Sequence, residues 1–473
     1  GSGELILEKA IIQPRHVEIQ VFADEAGNTI HLGERDCSVQ RRHQKVIEEA
    51  PCPVMTPKLR MRMGAAAVET AQTINYRGAG TVEFLLGADG EFYFLEMNTR
   101  LQVEHPVTEL VTGLDLVALQ IKVAQGEDLG LSQDDVALTG HAIEVRLYAE
   151  DVAEDFLPST GHIDLWDPAV GEGVRIDAGI ATGLEVSPFY DPMIAKVMAH
   201  GPNRDVARQR VIEALRNTGI FGPQTNRDFL IDALSQPAFA AGEATTAFIG
   251  ETYSADDLAR QAPSTPMVAA AAVLLYHSEQ HAAHKVAIGV DEELLNWGST
   301  GRLSTLYRFN FDDNAIDARV VAGDGKSWTV EMDAGSVTVS LVSWNTHRAC
   351  LTIDGATCVV VFALPRPGTI HLSMADTSAT LTNVLATAGM ADDAAGGGRV
   401  LAPMHGLILE VHVREGQTVK KGDRLAVLEA MKMQHQILAE VDGTITAVAC
   451  AAGDQVPADE LLVEIEIDED TDA

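Results

Sequence analysis

Hydrophobic and polar positions follow two different periods along residues 1–250, so the first half of the chain is predicted to mix strands and helices. Thr56-Pro57 places a capping residue before a proline at the first helical position, which predicts a helix beginning there. Asn203 predicts a second capped helix over 204–216, which carries regularly spaced valine and leucine side chains.

Two apolar and aromatic runs, 82–86 and 91–96, flank the turn-forming segment 87–90 and predict a β-hairpin. With a four-residue turn, Glu83 is expected to face Phe94, which makes Glu96 its diagonal neighbour on the same face, about 7–8 Å away. Two carboxylates on one face can share Mg²⁺ or Mn²⁺, whereas an ordinary solvated strand face is the alternative. A strict period of two beyond this point predicts one polar row, formed by Glu96, Asn98, Arg100, Gln102 and Glu104.

The pattern changes after residue 253. Thr265-Pro266 predicts an alanine-rich helix that extends to about His281. Short β runs separated by Gly and Asp turns then occupy 286–385, and we expect this sheet to close around the single helix. A stretch of small residues, 388–398, predicts a linker.

The C-terminal part carries an internal repeat. Residues 406–416 match residues 443–453, which lie 37 positions later. A short repeat of β-patterned segments predicts two similar sheets packed face to face. Lys432 lies between the repeats, where a hairpin turn is expected, and is flanked by Met431 and Met433. A lysine at such a tip suits the attachment of a swinging group, and the alternative is an ordinary solvated charge.

Composition narrows the choice of function. The 473 residues are enough for about three domains. The net charge of −35 argues against a nucleic-acid surface, because phosphate binding requires clustered Lys and Arg. Five scattered cysteines indicate a reducing compartment, and no apolar run is long enough to span a membrane. The chain starts within a strand-like run, so we expect a fragment, and a lost targeting peptide stays open.

The segment Ala430-Met-Lys-Met433, at the centre of the repeat, resembles the biotin-attachment site of biotin carboxyl carrier domains. The related lipoyl domains usually carry Asp before the lysine and Ala after it, so biotin is favoured. Four further segments resemble biotin carboxylases, the ATP-grasp enzymes that make carboxybiotin. They are Pro14-Arg-His-Val-Glu-Ile-Gln20, Glu34-Arg-Asp-Cys-Ser-Val-Gln-Arg-Arg-His-Gln-Lys45, Glu96-Met-Asn-Thr-Arg-Leu-Gln-Val-Glu-His-Pro106 and Gly140-His-Ala-Ile-Glu-Val-Arg146.

The resemblance implies a role for each matching residue. Glu83, Glu96 and Asn98 would hold the divalent ions that bridge the ATP phosphates. Glu104 would be the base that deprotonates bicarbonate, and Arg146 would stabilise the enolate of biotin. The other implied contacts are Lys45, Arg100 and the Val103 amide for bicarbonate, Glu8, Lys9 and Ile11 along adenine, His16, Gln40 and His43 near ribose and phosphates, and Gln102 as a further cofactor-binding residue.

The order of segments resembles the α subunit of acyl-CoA carboxylases, which implies a multidomain α+β protein. The expected domains are the C-terminal portion of a biotin carboxylase at 1–253, a β-barrel-plus-helix (BT) domain that docks the other subunit at 254–387, a linker at 388–398, and an all-β carrier domain at 399–468. The implied cofactors are covalent biotin on Lys432, ATP, and Mg²⁺ or Mn²⁺, with bicarbonate as a substrate. The implied partners are a carboxyltransferase β subunit in an α/β hetero-oligomer and a biotin protein ligase, with no nucleic acid and no membrane.

The acyl-CoA substrate is less defined by the sequence. The segments 402–406 and 431–435 favour the 3-methylcrotonyl-CoA type of leucine catabolism, while geranyl-, propionyl- and acetyl-CoA stay open. The family's N-terminal lobe and glycine-rich ATP lid have no match here, so we expect this chain alone not to turn over ATP. A biotinylated carrier and docking protein is the alternative function. The expected location is the bacterial cytoplasm, or the mitochondrial matrix in a eukaryote.

Overall fold

The computed structural model describes residues 10–287, 299, 303–311, 314–323, 326–387, 398–403, 406–430, 433–439, 441–457 and 460–467. The first part of the chain combines one large sheet with short accessory strands. Its strands are β1 (Arg15–Ala23), β2 (Thr29–Arg41), β3 (Gln44–Ala50), β4 (Gly78–Leu86), β5 (Phe92–Asn98), β6 (His141–Tyr148), β7 (Glu150–Asp151), β8 (Leu157–Pro158), β9 (Gly161–His162), β10 (Leu165–Asp167), β11 (Val174–Ala178), β12 (Glu185–Val186), β13 (Met193–Gly201) and β14 (Gly219–Phe221).

Eight of these strands form an antiparallel sheet in the order β11-β13-β6-β3-β2-β1-β4-β5. The two predicted helix starts are confirmed, because the Thr56 side chain accepts from the Leu59 N–H and the Asn203 side chain accepts from the Val206 N–H. The helices of this part are α1 (Pro57–Thr73), α2 (His105–Thr112), α3 (Leu116–Ala124), α4 (Arg204–Asn217), α5 (Arg227–Ser235), α6 (Pro237–Ala240), α7 (Phe248–Thr252) and α8 (Ala255–Leu258), with a 3₁₀ turn at Gln133–Asp135.

The hairpin β4–β5 forms as expected, but its predicted register is wrong. Phe84 pairs with Phe94, whereas the next pair along the ladder is Glu83 with Glu96, so Leu95 is an extra residue in β5. The turn is one residue longer than predicted, since Leu86 pairs with Phe92, and the bulge shifts every later pair by one further position. Glu83 and Glu96 are therefore directly opposite each other rather than diagonal neighbours.

The predicted continuous polar row is also wrong, because β5 ends at Asn98. Beyond this residue the chain leaves the sheet, and the alternation of exposed and buried sides no longer follows strand geometry. Arg100 is exposed, whereas Gln102 and Glu104 are buried immediately before α2.

The expected closure of a sheet around one helix is confirmed. Helix α9 (Thr265–Val286) starts at the predicted Thr-Pro pair and continues beyond His281, and its residues from Met267 to Tyr276 are all buried. A helix segment that is buried on every side requires neighbours all round, and the closed barrel supplies them. The barrel strands are β15 (Ser304–Phe311), β16 (Asn314–Ala322), β17 (Ser327–Met332), β18 (Gly335–Trp344), β19 (Arg348–Ile353), β20 (Ala356–Arg366), β21 (Thr369–Met374) and β22 (Thr377–Asn383), followed by α10 (Val384–Thr387).

The barrel packs against the first part of the chain. Arg348 donates through Nε to Asp167 Oδ2 at 2.8 Å, and His371 Nε2 lies 3.0 Å from Asp164 Oδ2. The ring of His371 also stacks on Phe221, at 5.6 Å between centroids. Among the helices in the described ranges, none is both long enough and apolar enough for a membrane crossing.

The C-terminal part consists of two four-stranded sheets, ordered β23-β30-β28-β25 and β27-β26-β24-β29. The internal repeat is visible in the pairing, since Gly406 pairs with Val456 while Gly443 pairs with Val419. Each repeat therefore completes the sheet of the other, with the apolar core between the sheets. The strands are β23 (Arg399–Leu401), β24 (Gly406–Val411), β25 (Thr418–Val419), β26 (Arg424–Ala430), β27 (Met433–Leu438), β28 (Gly443–Val448), β29 (Gln455–Val456) and β30 (Leu461–Ile467).

Candidate functional site

One face of the large sheet is polar where its central strands meet. Alternation along β1 places Val17 in the core beneath α1 and turns Glu18 to the opposite face. The register sets Glu18 opposite Arg35 of β2 and opposite Glu83 of β4, and it sets Glu83 opposite Glu96 of β5. Directly paired residues project from the same face of a sheet. Charged groups thus form a continuous row across four strands.

Arg35 organises the middle of this row and is fully buried. Its Nε donates to Glu18 Oε1 at 2.6 Å. A guanidinium has five N–H donors, and here each has an acceptor, so Arg35 holds the site together and has no donor left for a ligand. Its four terminal N–H groups donate, over 2.8 to 3.2 Å, to Gln20 Oε1, Thr108 Oγ1, Thr81 Oγ1 and Gln102 Oε1.

Lys45 of β3 connects three carboxylates. Its Nζ donates to Glu18 Oε2 at 2.6 Å, to Glu104 Oε1 at 2.6 Å and to Glu83 Oε1 at 3.0 Å. Burial opposes the ionisation of Glu18, but the charges of Arg35 and Lys45 outweigh burial and lower the pKa of Glu18 to about 2. Burial likewise disfavours the ammonium, yet the nearby anions raise the pKa of Lys45. The charged forms of Glu18 and Lys45 therefore stabilise each other.

Glu104 lies between two cations. It immediately precedes α2 and is buried, with Lys45 on Oε1 and the Nη2 of Arg146 on Oε2 at 3.0 Å. Arg146, on β6, also donates through Nε to Glu48 Oε1 of β3 at 2.5 Å. Burial disfavours the charge of Arg146, but Glu48 and Glu104 raise its pKa. The candidate base and the candidate anion-binding arginine are thus in direct contact.

The predicted metal ligands are adjacent at the β4–β5 end of the row. Asn98 Nδ2 donates to Glu83 Oε1 at 3.0 Å and to Glu96 Oε1 at 3.3 Å. His16 Nε2 lies 2.9 Å from Glu83 Oε2, and ligand atoms of His16, Glu18 and Glu83 all lie within 4.8 Å of one another. Carboxylate and amide oxygens are the donors that Mg²⁺ and Mn²⁺ prefer, so these residues fit such an ion. Burial opposes ionisation of Glu83, but the hydrogen bond from His16 and the charge of Lys45 lower its pKa.

The other predicted residues are only partly brought together. Buried Gln102 joins the network, since its Nε2 donates to Glu83 at 2.8 Å. Arg100 is exposed and donates to Asn98 Oδ1 at 3.1 Å, which places it beside the metal-side residues. The Val103 carbonyl accepts from Lys196 Nζ at 2.9 Å.

Three predicted nucleotide contacts lie at the margins of the row. Ile11 is half-buried in the segment before β1, and Gln40 pairs with Lys45 in the β2–β3 ladder. His43 is exposed in the tight β2–β3 turn with a φ of 68°. Glu8, Lys9, Lys432 and most of the predicted linker at 388–398 lie outside the described residues. The strands on either side of Lys432 are described, and they pair as far as Ala430 with Met433.

Several residues of this site could not be assigned a role from the sequence pattern. Glu18, Arg35 and Glu144 all lie within segments that were recognised as family-like, but they were given no role. Alternation in Pro14–Gln20 already sets Glu18 on the face of His16, which would have been a usable signal. Glu48 and Glu144 required the β3–β6 pairing, which joins residues 96 positions apart.

Family models match three parts of the chain. Residues 1–132 match the ATP-binding domain of the carbamoyl-phosphate synthase L chain, and residues 144–251 match the biotin carboxylase C-terminal domain. Residues 398–465 match the model described as biotin-requiring enzyme. The polar row thus lies within the first two matches, and Lys432 lies within the third.

Relatives that align over nearly the whole of this chain agree with these matches. The mitochondrial methylcrotonoyl-CoA carboxylase subunit alpha of Mus musculus is 39% identical over 99% of this chain and 67% of its own length. The propionyl-CoA carboxylase alpha chain of Ruegeria pomeroyi is 38% identical over 98% of this chain and 72% of its own. This chain therefore spans about two thirds of the length of such relatives.

A solved structure resembles the first part. The biotin carboxylase domain of the Hydrogenobacter thermophilus 2-oxoglutarate carboxylase, in complex with MgADP, ADP and bicarbonate, is 43% identical. It aligns with a TM-score of 0.52 over 54% of this chain and 56% of that chain.

Proposed function

This chain belongs to the family of biotin-dependent acyl-CoA carboxylase α subunits, and we propose that its polar sheet face carboxylates biotin while its C-terminal domain carries that biotin. The protein is an enzyme of the ligase class, and the comparisons support biotin, ATP, Mg²⁺ and bicarbonate as its cofactors and substrates. The proposed division of the chain is carboxylase portion 1–253, subunit-docking barrel 254–387, linker 388–398 and carrier 399–468.

A single observation carries the proposal: Glu104 accepts from Lys45 on one oxygen and from Arg146 on the other. Bicarbonate is a small anion, so it would bind where these cations converge and would replace a carboxylate as acceptor. A planar guanidinium suits a planar anion, so Arg100 would also contact bicarbonate, and Arg146 would stabilise the enolate of biotin as well. Glu104 is then within reach of the bicarbonate proton and would accept it.

The metal-side residues have a separate task in the proposal. Glu83, Glu96 and Asn98 would hold Mg²⁺, since the Asn98 side chain contacts the carboxylates of both Glu83 and Glu96 on the β4–β5 hairpin. When bound, such an ion neutralises phosphate charge in phosphoryl transfer. Arg35 positions this end because it donates to Glu18 and to Gln102. Glu18 also accepts from Lys45, and Gln102 donates to Glu83.

Which acyl-CoA is finally carboxylated stays a proposal. We favour 3-methylcrotonyl-CoA, on the segments that flank Lys432, with propionyl-, geranyl- and acetyl-CoA as alternatives. A carboxyltransferase β subunit is the proposed partner in an α/β hetero-oligomer, and a biotin protein ligase would modify Lys432. The relatives include mitochondrial and bacterial proteins, so we propose the matrix or the bacterial cytoplasm according to the source.

The carrier assignment is tested by biotinylation. Coexpression with a biotin protein ligase should add the mass of one biotin, detected by intact-protein mass spectrometry and by avidin binding. Lys432→Arg keeps the positive charge but has no primary amine, so this variant should gain neither signal. Lys421→Arg, on the exposed surface of the same domain, is the matched control and should be biotinylated like the wild type. Biotin on the Lys432→Arg variant would refute the assignment.

The carboxylase assignment is tested separately. The complete natural α subunit, given ATP, Mg²⁺ and labelled bicarbonate, should release phosphate and transfer label to its own carrier. Arg146→Lys should lower label transfer by at least about tenfold with little change in the KM for ATP, because a lysine has no planar fork. Equal label transfer by the variant would remove Arg146 from the site.

A further inference from the structure

Two buried carboxyl groups lie directly opposite each other behind Arg146. Glu144 of β6 pairs with Glu48 of β3, and both are 0% exposed. Glu48 uses one oxygen to accept from Arg146 Nε. Its other oxygen and both oxygens of Glu144 have no hydrogen-bond partner among the described residues. Three carboxyl oxygens without hydrogen bonds at one buried pair of residues are unusual, because burying an unpaired polar group lowers the stability of the fold.

The surroundings cannot neutralise two anions here. Helix α2 covers this part of the face by packing Val107 and Val111 against Ala50 and Ala142. Arg146 is already shared between Glu48 and Glu104. Lys196 Nζ donates to the Val103 carbonyl and lies 3.6 Å from Asp177 Oδ2. The charged groups that act on Glu144 are Glu48, Lys196, Glu104 and Arg146, and the covering helix α2 also carries the titratable residues His105 and Glu109.

We propose that Glu144 is kept as the neutral carboxylic acid and acts as a positioning residue for Arg146, by donating its O–H to the free oxygen of Glu48. Directly opposed side chains have their Cβ atoms about 4.5–5.5 Å apart, which is within reach of such a hydrogen bond. The proton gives one of the three unpartnered oxygens a donor and fixes the Glu48 carboxylate. Glu48 in turn fixes the plane of the Arg146 guanidinium against Glu104.

The acid–base properties of the pair agree with this assignment. Burial raises the pKa of Glu144 well above its ordinary value, and the facing Glu48 raises it further. Burial also raises the pKa of Glu48, to about 7, although Arg146 opposes the rise. Two interacting carboxyls share their protons as a pair. The proton belongs mainly to Glu144 because only Glu48 has a cation in contact.

Protonation can be tested without any activity. Infrared difference spectra of the purified chain at neutral pH, wild type minus Glu144→Gln, should contain the C=O stretch of a protonated carboxylic acid. Glu69→Gln, on the exposed side of α1, is the matched control and should remove only a carboxylate signal. A carboxylate signal instead of a carboxylic-acid signal in the Glu144→Gln difference would overturn the proposal.

Positioning is tested with a pair of substitutions at Glu144. The ¹⁵Nε–H resonance of Arg146, assigned with Arg146→Lys, should be retained in Glu144→Gln, whose amide can donate to Glu48. It should shift or broaden in Glu144→Leu, which has no donor. An unchanged Arg146 resonance in a folded Glu144→Leu chain would contradict the positioning role. If Glu144→Leu does not fold, loss of the Arg146 resonance in Glu144→Gln would contradict that role instead.

The catalytic consequence rests on the proposed function. In the complete α subunit, Glu144→Gln should keep carboxylation within about threefold, whereas Glu144→Leu should lower kcat by at least about tenfold with the KM for ATP unchanged. If the wild type fails to carboxylate biotin while the infrared and resonance results hold, the proposed function fails and the protonated pair stands. If the wild type is active and both variants match it, positioning by Glu144 is wrong.

Discussion

The two ends of the polar sheet face use the same residue type in opposite ways. At the β4–β5 end, Glu83 accepts from Lys45, Asn98 and Gln102 and contacts His16, and its pKa is lowered. At the β3–β6 end, Glu144 has no hydrogen-bond partner among the described residues, and its pKa is raised. Both carboxyl groups are buried, so burial alone does not decide their charge.

The difference lies in the number of donors that the fold directs at each carboxyl. Glu83 is on a hairpin next to Lys45, so ionisation gains contacts that outweigh desolvation. Glu144 lies opposite a second carboxyl, and the arginine two residues further along its own strand is already shared. The ionised end can bind a cation, while the neutral end holds an arginine without adding a further negative charge to the anion site.

The largest effect is expected from removing the cation common to the ionised end. Lys45→Met leaves Glu18, Glu83 and Glu104 without their shared donor, and breaking a buried ion pair on one side typically costs about 3–5 kcal/mol. Hydrogen–deuterium exchange of β1, β3 and β4 should become faster by a corresponding factor. Lys420→Met, an exposed lysine of the carrier, is the control and should leave this exchange unchanged.

This prediction depends on Lys45 stabilising the sheet and not only binding substrate. If Lys45→Met keeps normal hydrogen–deuterium exchange but loses carboxylation, Lys45 binds substrate and does not stabilise the sheet. The contrast between the two ends would then have to be explained without buried charge.

Much of this contrast could not have been predicted from sequence. Family-like segments located Lys45, Glu104 and Arg146, because short motifs are readable without a fold, and the hairpin pattern located Glu83. The β4–β5 bulge at Leu95 was missed, since a single inserted residue leaves no mark in the hydrophobic pattern. Its consequence is large, because it brings two carboxylates face to face.

The pairing of Glu48 with Glu144 at the neutral end could not be predicted for a different reason. Glu48 and Glu144 are far apart in the chain, and only the strand order of the sheet makes them neighbours. By contrast, the two sheets of the carrier were predictable from its repeat, because each half lies in one short segment and the halves pair reciprocally. Local repeats and motifs are readable from sequence, whereas long-range pairing of buried charges requires the fold.

The same substitution at both ends should have unequal effects. The Glu83 carboxylate accepts several hydrogen bonds, and Glu83→Gln puts an amide NH₂ group against some of those donors. The free energy of unfolding should fall by about 1.5–3 kcal/mol. The substitution should also weaken Mn²⁺ binding, measured by electron paramagnetic resonance of the free ion. Glu144→Gln replaces a neutral acid with a neutral amide and should change neither result at about pH 5. Equal losses from the two variants would contradict the contrast.

The effect that is smallest from one pH unit to the next is a pH dependence confined to the neutral end. The folded pKa of Glu144 lies above its ordinary value of 4.5, so the unfolded chain loses this proton first as pH rises. Unfolding then releases a proton, and the stability of the wild type falls with pH, by up to about 1.4 kcal/mol per pH unit, until pH reaches the folded pKa. Glu144→Gln has no such proton, so urea unfolding followed from about pH 5 to pH 8 should show the variant gaining stability relative to wild type. The other ionisable groups are the same in both proteins, so their contributions largely cancel, except that of Glu48, which titrates together with Glu144 as a pair. A difference that stays constant from about pH 5 to pH 8 would mean that Glu144 is already ionised in the folded chain, and it would contradict the neutral carboxylic acid.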